Sequence, residues 1–387
     1  MNYYILPKNN LNADIFLFLN SDQIKPFISY SLIYYLNDIY TNLIKLEEQN
    51  DTNAGTSITI DYINKIVNPF EFIHTNVPGT ILSVSKVKPG SSLFFDLMEI
   101  FQICNITDFL ADMTKISIAN FTPHFTSSNY LLNMLREENE DIIINEFFNF
   151  DILCEKYITN TPPIKIDLLI FEFKDEDYID TKQYIKNVLL TFYMIVKYQA
   201  KNGTCIIKFD NIFYKAIIDV ILILSGIYER TYLIKPTISK ITKGERYIIC
   251  KDLDIEMMKK MNIFEQLEEK LKNYLLDNLG SCVNDDQNIH SFLKNDIPYY
   301  FLNKIEESNA VIGQQQLESY DQIINIFKNK NKEDKVETLK RNHIQKCIQW
   351  CEKNQIPHNK FTDKINIFLN TKRRECEEGL KCLESSI

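Results

Sequence analysis

The run Asp167-Leu168-Leu169-Ile170-Phe171-Glu172-Phe173 constrains this chain more than any other segment. Its apolar residues stand side by side instead of alternating with polar ones, the pattern of a strand covered on both faces. Such a strand needs helices packed on each side of its sheet. The flanking pattern agrees. Thr181 to Ala200 reads as an amphipathic helix, with Ile185, Val188, Leu189, Phe192 and Val196 on one stripe and Asn202-Gly203 stopping it. Thr204 to Phe209 is a second buried strand, and Phe213 to Ile227 a helix apolar nearly all round. Strands alternating with helices predict a parallel or mostly parallel α/β sheet.

Other runs fill in the pattern. Phe70 to Thr75 reads as a strand ending in Asn76-Val77-Pro78-Gly79-Thr80, and Lys115 to Ala119 as the next. Thr231 to Ile234 and Arg246 to Cys250 are two more, joined by a loop, Lys235 to Glu245, that suits an antiparallel pair at the sheet edge. Outside this zone the pattern is helical. Ser21 to Glu48 has Ser21 as N-cap and Leu32, Ile33, Leu36, Ile39, Tyr40, Leu43 and Ile44 at helical spacing. After Leu253 strand signals disappear, and Ile255 to Leu275, Gln315 to Phe327 and Lys335 to Lys353 read as helices. The expected division is 1–66 helical, 67–252 α/β and 253–387 helical, without an internal repeat.

Composition removes several classes. With 45% hydrophobic and 25% charged residues, wholesale disorder is excluded. A net charge of -9 argues against a protein that coats nucleic acid by bulk charge, though a local basic groove is compatible with it. The Lys-rich segment Phe327 to Arg341 also carries Glu and Asp and reads as a solvated face. The nine cysteines are odd in number and scattered, which suits reduced thiols in a cytosolic compartment. No signal-peptide pattern opens the chain. Its longest apolar run, Ala216 to Ile227, is short of the roughly 20 residues that span a bilayer, so a soluble cytoplasmic protein without membrane contact is expected. His343, Cys347 and Cys351 recur on one helical face and His358 follows. There is no Cys-x-x-Cys, and cysteines on an apolar helix face belong to a core, so no metal is expected.

Three segments could carry chemistry. Ligands of open α/β sheets bind beyond the carboxyl ends of strands, and a Gly there, as in the turn Asn76 to Thr80, lets backbone approach a ligand. Lys208 ends the strand Gly203-Thr204-Cys205-Ile206-Ile207-Lys208. It either snorkels to solvent or projects into the cleft, where partial burial would lower its pKa and make it a base. Finally, Lys235-Pro236-Thr237-Ile238-Ser239-Lys240 leads to Gly244-Glu245-Arg246-Tyr247-Ile248-Ile249-Cys250, a hairpin with a charged tip.

In this order the blocks Pro78-Gly79, Asp167 to Glu172, Gly203 to Lys208 and Lys235 to Lys251 resemble the FtsJ-like (RrmJ-type) ribose 2′-O-methyltransferases. The resemblance spans about Phe70 to Asp252 and is nearest the divergent versions of large cytoplasmic DNA viruses, of the African swine fever virus type. It implies a Rossmann-like methyltransferase sheet of seven strands with an antiparallel edge strand and helical additions at both ends. It implies methyl transfer from S-adenosyl-L-methionine to an RNA ribose, with capped viral mRNA as a candidate substrate, in host cytoplasm or virion. The C-terminal helical region is then a candidate surface for a protein partner.

The family's Lys-Asp-Lys-Glu tetrad carries over in part. Its second Lys corresponds to Lys208 and its Glu to Glu245, while Glu172 stands where the family has Asp. Lys45 best fits the first Lys, with Lys65 as competitor. For the cofactor, the resemblance implies the turn Asn76, Val77, Pro78, Gly79 and Thr80, then Asp151 of Phe150-Asp151, and Glu172. Asn120 stands where an acid for the cofactor ribose is expected. In this scheme Lys208 is the base, kept partly neutral by Lys45 and a dry site. The alternative is a catalytically silent relative serving as an RNA-binding or scaffolding subunit. Glu172, Asn76 and Asn120 favour it; Lys208, Glu245 and Lys45 oppose it.

Overall fold

The apolar run at 167–173 becomes an inner strand of a seven-stranded sheet. The computed structural model describes residues 2–9, 13–51, 60–106, 116–123, 130–134, 142–147, 165–277, 287–328, 333–359 and 361. In chain order its elements are β1 (Asn2–Leu6), β2 (Ile15–Asn20), α1 (Tyr30–Asp51), α2 (Ile60–Val67), a 3-10 turn (Glu71–Ile73), α3 (Leu93–Ile103), β3 (Ile116–Phe121) and β4 (Ile142–Phe147). Then come β5 (Ile166–Phe171), α4 (Asp175–Ile179), α5 (Thr181–Tyr198), β6 (Gln199–Phe209), α6 (Lys215–Ile227), β7 (Tyr228–Lys235) and β8 (Arg246–Leu253). Last are α7 (Ile255–Lys260), α8 (Ile263–Lys270), α9 (Lys272–Asp277), β9 (Asn288–Leu293), α10 (Tyr299–Lys328) and α11 (Glu333–Lys353).

These elements form two compact units, Met1–Ser57 with Pro89–Asn325, and Ile58–Lys88 with Ile326–Ile387. The boundaries expected at 66 and 252 do not coincide with this division. The first unit contains the sheet, in the order β1-β7-β8-β6-β5-β3-β4. β4, β3, β5 and β6 are parallel, β8 is antiparallel to β6 and β7, and β1 is antiparallel to β7. The mostly parallel, Rossmann-like α/β class read from the sequence is the class observed.

Several expectations need correction. β7 and β8 do pair antiparallel, but β8 lies inside the sheet and the edge beyond β7 is β1, from a segment expected to be helical. The seventh strand is therefore Asn2–Leu6, not Phe70–Thr75. The latter closes as a 3-10 turn: Ile73 N–H donates to Phe70 O, and both the N–H and hydroxyl of Thr75 donate to Glu71 O. A strand also interrupts the region after Leu253, because β9 pairs antiparallel with β2. Helix α1 starts at Tyr30, well past Ser21, and of its expected stripe Leu43 alone is buried.

The core sits on both faces of the sheet. α6 is buried all round because β9 covers its outer side. This explains the lone acid in that helix. The Asp219 carboxylate accepts the N–H groups of Phe292 and Leu293 and the Ser291 hydroxyl, and pairs with Lys215 at 2.8 Å. Without it, two buried β9 amides would lack partners.

In the second unit, Ile63, Ile66, Phe72, Ile73, Val77, Val84, Cys347, Trp350, Cys351 and Ile356 form the buried set. His343 Nδ1 meets Ile66 O at 2.8 Å and Cys347 Sγ donates to Pro69 O. Both side chains are thus used in packing, and no metal-binding cluster occurs among the described residues. Cys104, Cys205, Cys250, Cys347 and Cys351 are free and buried; Cys154, Cys282, Cys376 and Cys382 lie outside the described residues. Among the described residues no helix is long and apolar enough to cross a membrane.

Candidate active site at the sheet's switch point

The chain leaves β3 for β4 on one side and returns to β5 on the other. Ligands of open α/β sheets bind in the crevice beyond the carboxyl ends of strands at such a reversal. The reversal falls on β3, the run that the sequence presents as the second strand of the sheet. Its end is joined tightly to that of β5. Glu172 N–H donates to Phe121 O at 2.9 Å, the Phe121 and Phe171 rings stack with centroids 4.8 Å apart, and the Thr122 hydroxyl donates to Glu172 Oε2 at 2.6 Å.

Three expected site residues meet here. Lys208, next to last in β6, places Nζ 2.9 Å from Glu172 Oε1 and 3.2 Å from Glu245 Oε2. Its side chain is 12% exposed, that of Glu172 3% and that of Glu245 11%, so the trio is largely out of water. β6 points the lysine inward because Lys208 faces Tyr247 across the β6–β8 ladder, and Glu245 precedes β8 by one residue. Lys208 does not snorkel.

A tyrosine fixes the two strand ends. The hydroxyl of Tyr178, brought back by the short helix α4, accepts Phe173 N–H and donates to Lys208 O, both at 3.2 Å. Its ring packs against Phe173 and Tyr184.

The fourth group on the cluster is an acid. Asp96, from α3 and 1% exposed, accepts the Tyr247 hydroxyl on Oδ2 and the Ser239 hydroxyl on Oδ1, each at 2.9 Å. Lys45 is exposed on α1 and among the described contacts does not reach the trio; Lys65 is exposed on α2 and belongs to the second unit. Asp96 joins the cluster through Tyr247, the residue that faces Lys208 across the ladder.

This charge balance sets the protonation states. Burial works against the Lys208 ammonium, but Glu172 and Glu245 outweigh it and hold its pKa well above the ordinary lysine value. The expected partly neutral base is therefore an ammonium. Burial likewise opposes the Glu245 carboxylate, yet Lys208, Lys235 and Lys243 pull its pKa down to about 2. Asp96 goes the other way: burial, reinforced by the charge of Glu245, lifts it to about 7 against the pull of Lys208, Ser239 and Tyr247. Of these three groups, Asp96 is the one whose pKa lies near neutrality.

The turn Asn76 to Thr80 belongs to the second unit. It follows the 3-10 turn within the second unit and closes on itself through Val77 N–H to Leu82 O and Thr80 N–H to Val77 O, with Gly79 at φ +86°. It is not the end of a sheet strand, which removes the reason for placing a cofactor there. Asp151 lies outside the described residues. Asn120 is buried within β3, so it does not follow a second strand. Sequence reading missed Asp96, Thr122 and Tyr178. One signal was present: Asp96 and Glu99 interrupt the apolar stretch Leu93–Ile103, and acids on a buried helix face need partners.

No family model matches the sequence. An uncharacterized protein of Acanthamoeba polyphaga mimivirus is 23% identical over 327 residues, covering 81% of this chain and 80% of that protein. Among solved structures, a protein assigned as a ribosomal RNA methyltransferase from Plasmodium falciparum is similar with a TM-score of 0.29 and 14% identity, over 42% of this chain and 98% of that one. PigF, solved with SAH, is similar with a TM-score of 0.22 and 13% identity, over 58% of this chain and 71% of that one.

Proposed function

We propose that the chain is an S-adenosylmethionine-dependent methyltransferase acting on an RNA ribose 2′-hydroxyl, with the cap-proximal ribose of viral mRNA as the candidate target. The observation that carries this reading is the Glu172–Lys208–Glu245 trio at the carboxyl ends of the parallel strands, one strand from the reversal. The order of those residues in the chain and the blocks around them resemble those of the ribose 2′-O-methyltransferases, with Glu172 where that family has Asp.

The donor set suits the cofactor. Glu172, a buried carboxylate beside the crevice, offers the negative charge that a sulfonium cation favours. Thr122 and Glu172, at the crevice between β3 and β5, are the described residues that would hold S-adenosylmethionine, which supplies an activated methyl group. The chain's own residues do the rest. Glu172 and Glu245 fix the Lys208 ammonium. Lys208 aims its remaining N–H at the ribose oxygen, orients it and stabilises the negative charge that develops there. Lys208 keeps its proton, so its role is electrostatic; the proton that the ribose oxygen gives up on taking the methyl group passes to water, and the donor would leave as its neutral thioether. The methyl-transfer assay uses tritiated S-adenosylmethionine with capped and uncapped RNA. Label in RNA that resists base cleavage at the modified ribose supports the reading, and no transfer to either RNA by a protein that binds the cofactor contradicts it.

A second reading is favoured by one observation: among the described ion pairs Lys208 is the lysine that meets Glu172 and Glu245, and Lys45 does not join it. A silent methyltransferase-like subunit that binds RNA or scaffolds a partner through its C-terminal helices would bind RNA in the same assay without transferring label.

A further inference from the structure

The loop between β7 and β8, which ends in Glu245, is held from two sides. From within, Lys235 is 3% exposed and donates Nζ to three backbone carbonyls, Lys243 at 2.6 Å, Lys240 at 3.0 Å and Glu245 itself at 3.1 Å. Three carbonyls match the three protons of an ammonium. From outside, two acids one turn apart on α3 grip the other side of the loop. Glu99 accepts Thr237 N–H on both oxygens at 3.1 and 3.0 Å, the Thr237 hydroxyl at 2.6 Å and Ile238 N–H at 3.4 Å. Asp96 takes Ser239 and Tyr247, which flank the loop's far side.

We infer that this cage is a positioning device: Lys235 from within, and Asp96 and Glu99 from α3, hold the loop 236–245 so that Glu245 meets Lys208. The inference rests on the reading above only in treating Glu245 as a site residue; the geometry it concerns is independent of any ligand. Among the described contacts none of the three caging groups is hydrogen-bonded to the Lys208 ammonium, whose described partners are Glu172 and Glu245. Each acts through Glu245. The arrangement also explains why a hairpin tip can present a carboxylate at a fixed point. A loop of this length has many conformations, and charge-assisted hydrogen bonds to its backbone select one.

The test exploits opposite signs. The charged groups around Glu245 are Lys208 on β6, Lys235 on β7, Lys243 in the loop, Asp96 on α3 and Asp210 after β6. Glu99→Gln removes a negative charge, which by field alone lowers the Glu245 pKa or leaves it unchanged. Loosening the loop separates Glu245 from Lys208 and raises it. Thr237→Val removes the hydroxyl bond to Glu99 with no change of charge and should raise it too. The measurement is carboxyl-detected NMR titration of Glu245 in the full chain, with amide exchange over Thr237 to Arg246 as a second readout. We expect folded variants whose Thr237 and Ile238 amides exchange at least about tenfold faster. Glu245 should titrate higher, from about 2 toward the ordinary glutamate value of about 4.3. A Glu245 titration unchanged or lowered in both variants, whatever the amides do, would overturn the positioning role. Absence of cofactor binding by the unmodified protein would count against the proposed function and leave this result standing.

Discussion

Tyr247, the residue opposite Lys208 across the β6–β8 ladder, donates its hydroxyl to Asp96 at 2.9 Å. That bond brings a third carboxylate to a cluster holding a single site lysine. Burial and the charge of Glu245, acting against the pull of that bond, make the protonation of Asp96, not of Lys208, the property most sensitive to pH near neutrality.

The first prediction follows from that raised pKa. Between about pH 4 and the folded value of about 7, the folded chain keeps the Asp96 proton that the unfolded chain releases. The unfolded state therefore binds fewer protons, and stability falls as pH rises through this window. The contribution is full below the unfolded value and is lost as pH passes the folded one. Asp96→Asn removes it. Chemical denaturation at pH 4.5 and pH 7.5 should show the wild-type advantage over Asp96→Asn shrinking by on the order of a few kcal/mol. An advantage independent of pH would mean that Asp96 is an ordinary carboxylate.

Lys208 neutralises two buried acids, so removing it should cost stability as well as function. Lys208→Met should lower unfolding free energy by about 3–5 kcal/mol, the range for breaking a buried ion pair from one side. Adding Glu172→Gln should return part of that loss, since one fewer carboxylate is stranded. A snorkelling lysine would instead tolerate Met with little change. Denaturant midpoints of the single and double variants decide between the two.

Tyr178→Phe keeps the ring among Phe173 and Tyr184 and deletes the hydroxyl that links the ends of β5 and β6. Phe173 N–H and Lys208 C=O then lose a partner. The expected cost is about 1–2 kcal/mol with an unchanged denaturant slope. A loss within a few tenths of a kcal/mol would show that water replaces the hydroxyl freely.

Much of the inner sheet was legible because burial on both faces writes continuous apolar runs, as in β5, β6 and α6. The trio was legible for a related reason: a charged residue at the end of such a run, Glu172 or Lys208, marks where the chain leaves the core. What failed was anything set by distant pairing. Asn2–Leu6 is a short edge strand whose partner lies more than 200 residues away, and Phe70–Thr75 has strand-like composition but no strand to pair with. β3 is short, with Ser117 and Asn120 breaking its apolar run, so its place at the reversal could not be read locally. Taking it for the second strand displaced the whole cofactor assignment onto the turn at 76–80. Lys45 was implied by the resemblance alone, since helix spacing does not say which helix approaches a strand end. α3 does so here, and brings an acid.

The proposed function puts the cofactor in the crevice beyond β3 and β5. Calorimetric titration with S-adenosylmethionine tests it most directly, in the unmodified chain, in Pro123→Trp and in Gly79→Trp, each checked by a thermal melt. Pro123 is exposed immediately after Thr122, so an indole there fills the mouth of the crevice. Gly79 has open space around it, so Trp fits apart from the strain of its positive φ. The account predicts saturable binding to the unmodified chain, loss of at least about tenfold in affinity in Pro123→Trp, and near-normal affinity in Gly79→Trp. Binding that survives Pro123→Trp but is lost in a folded Gly79→Trp protein would contradict it.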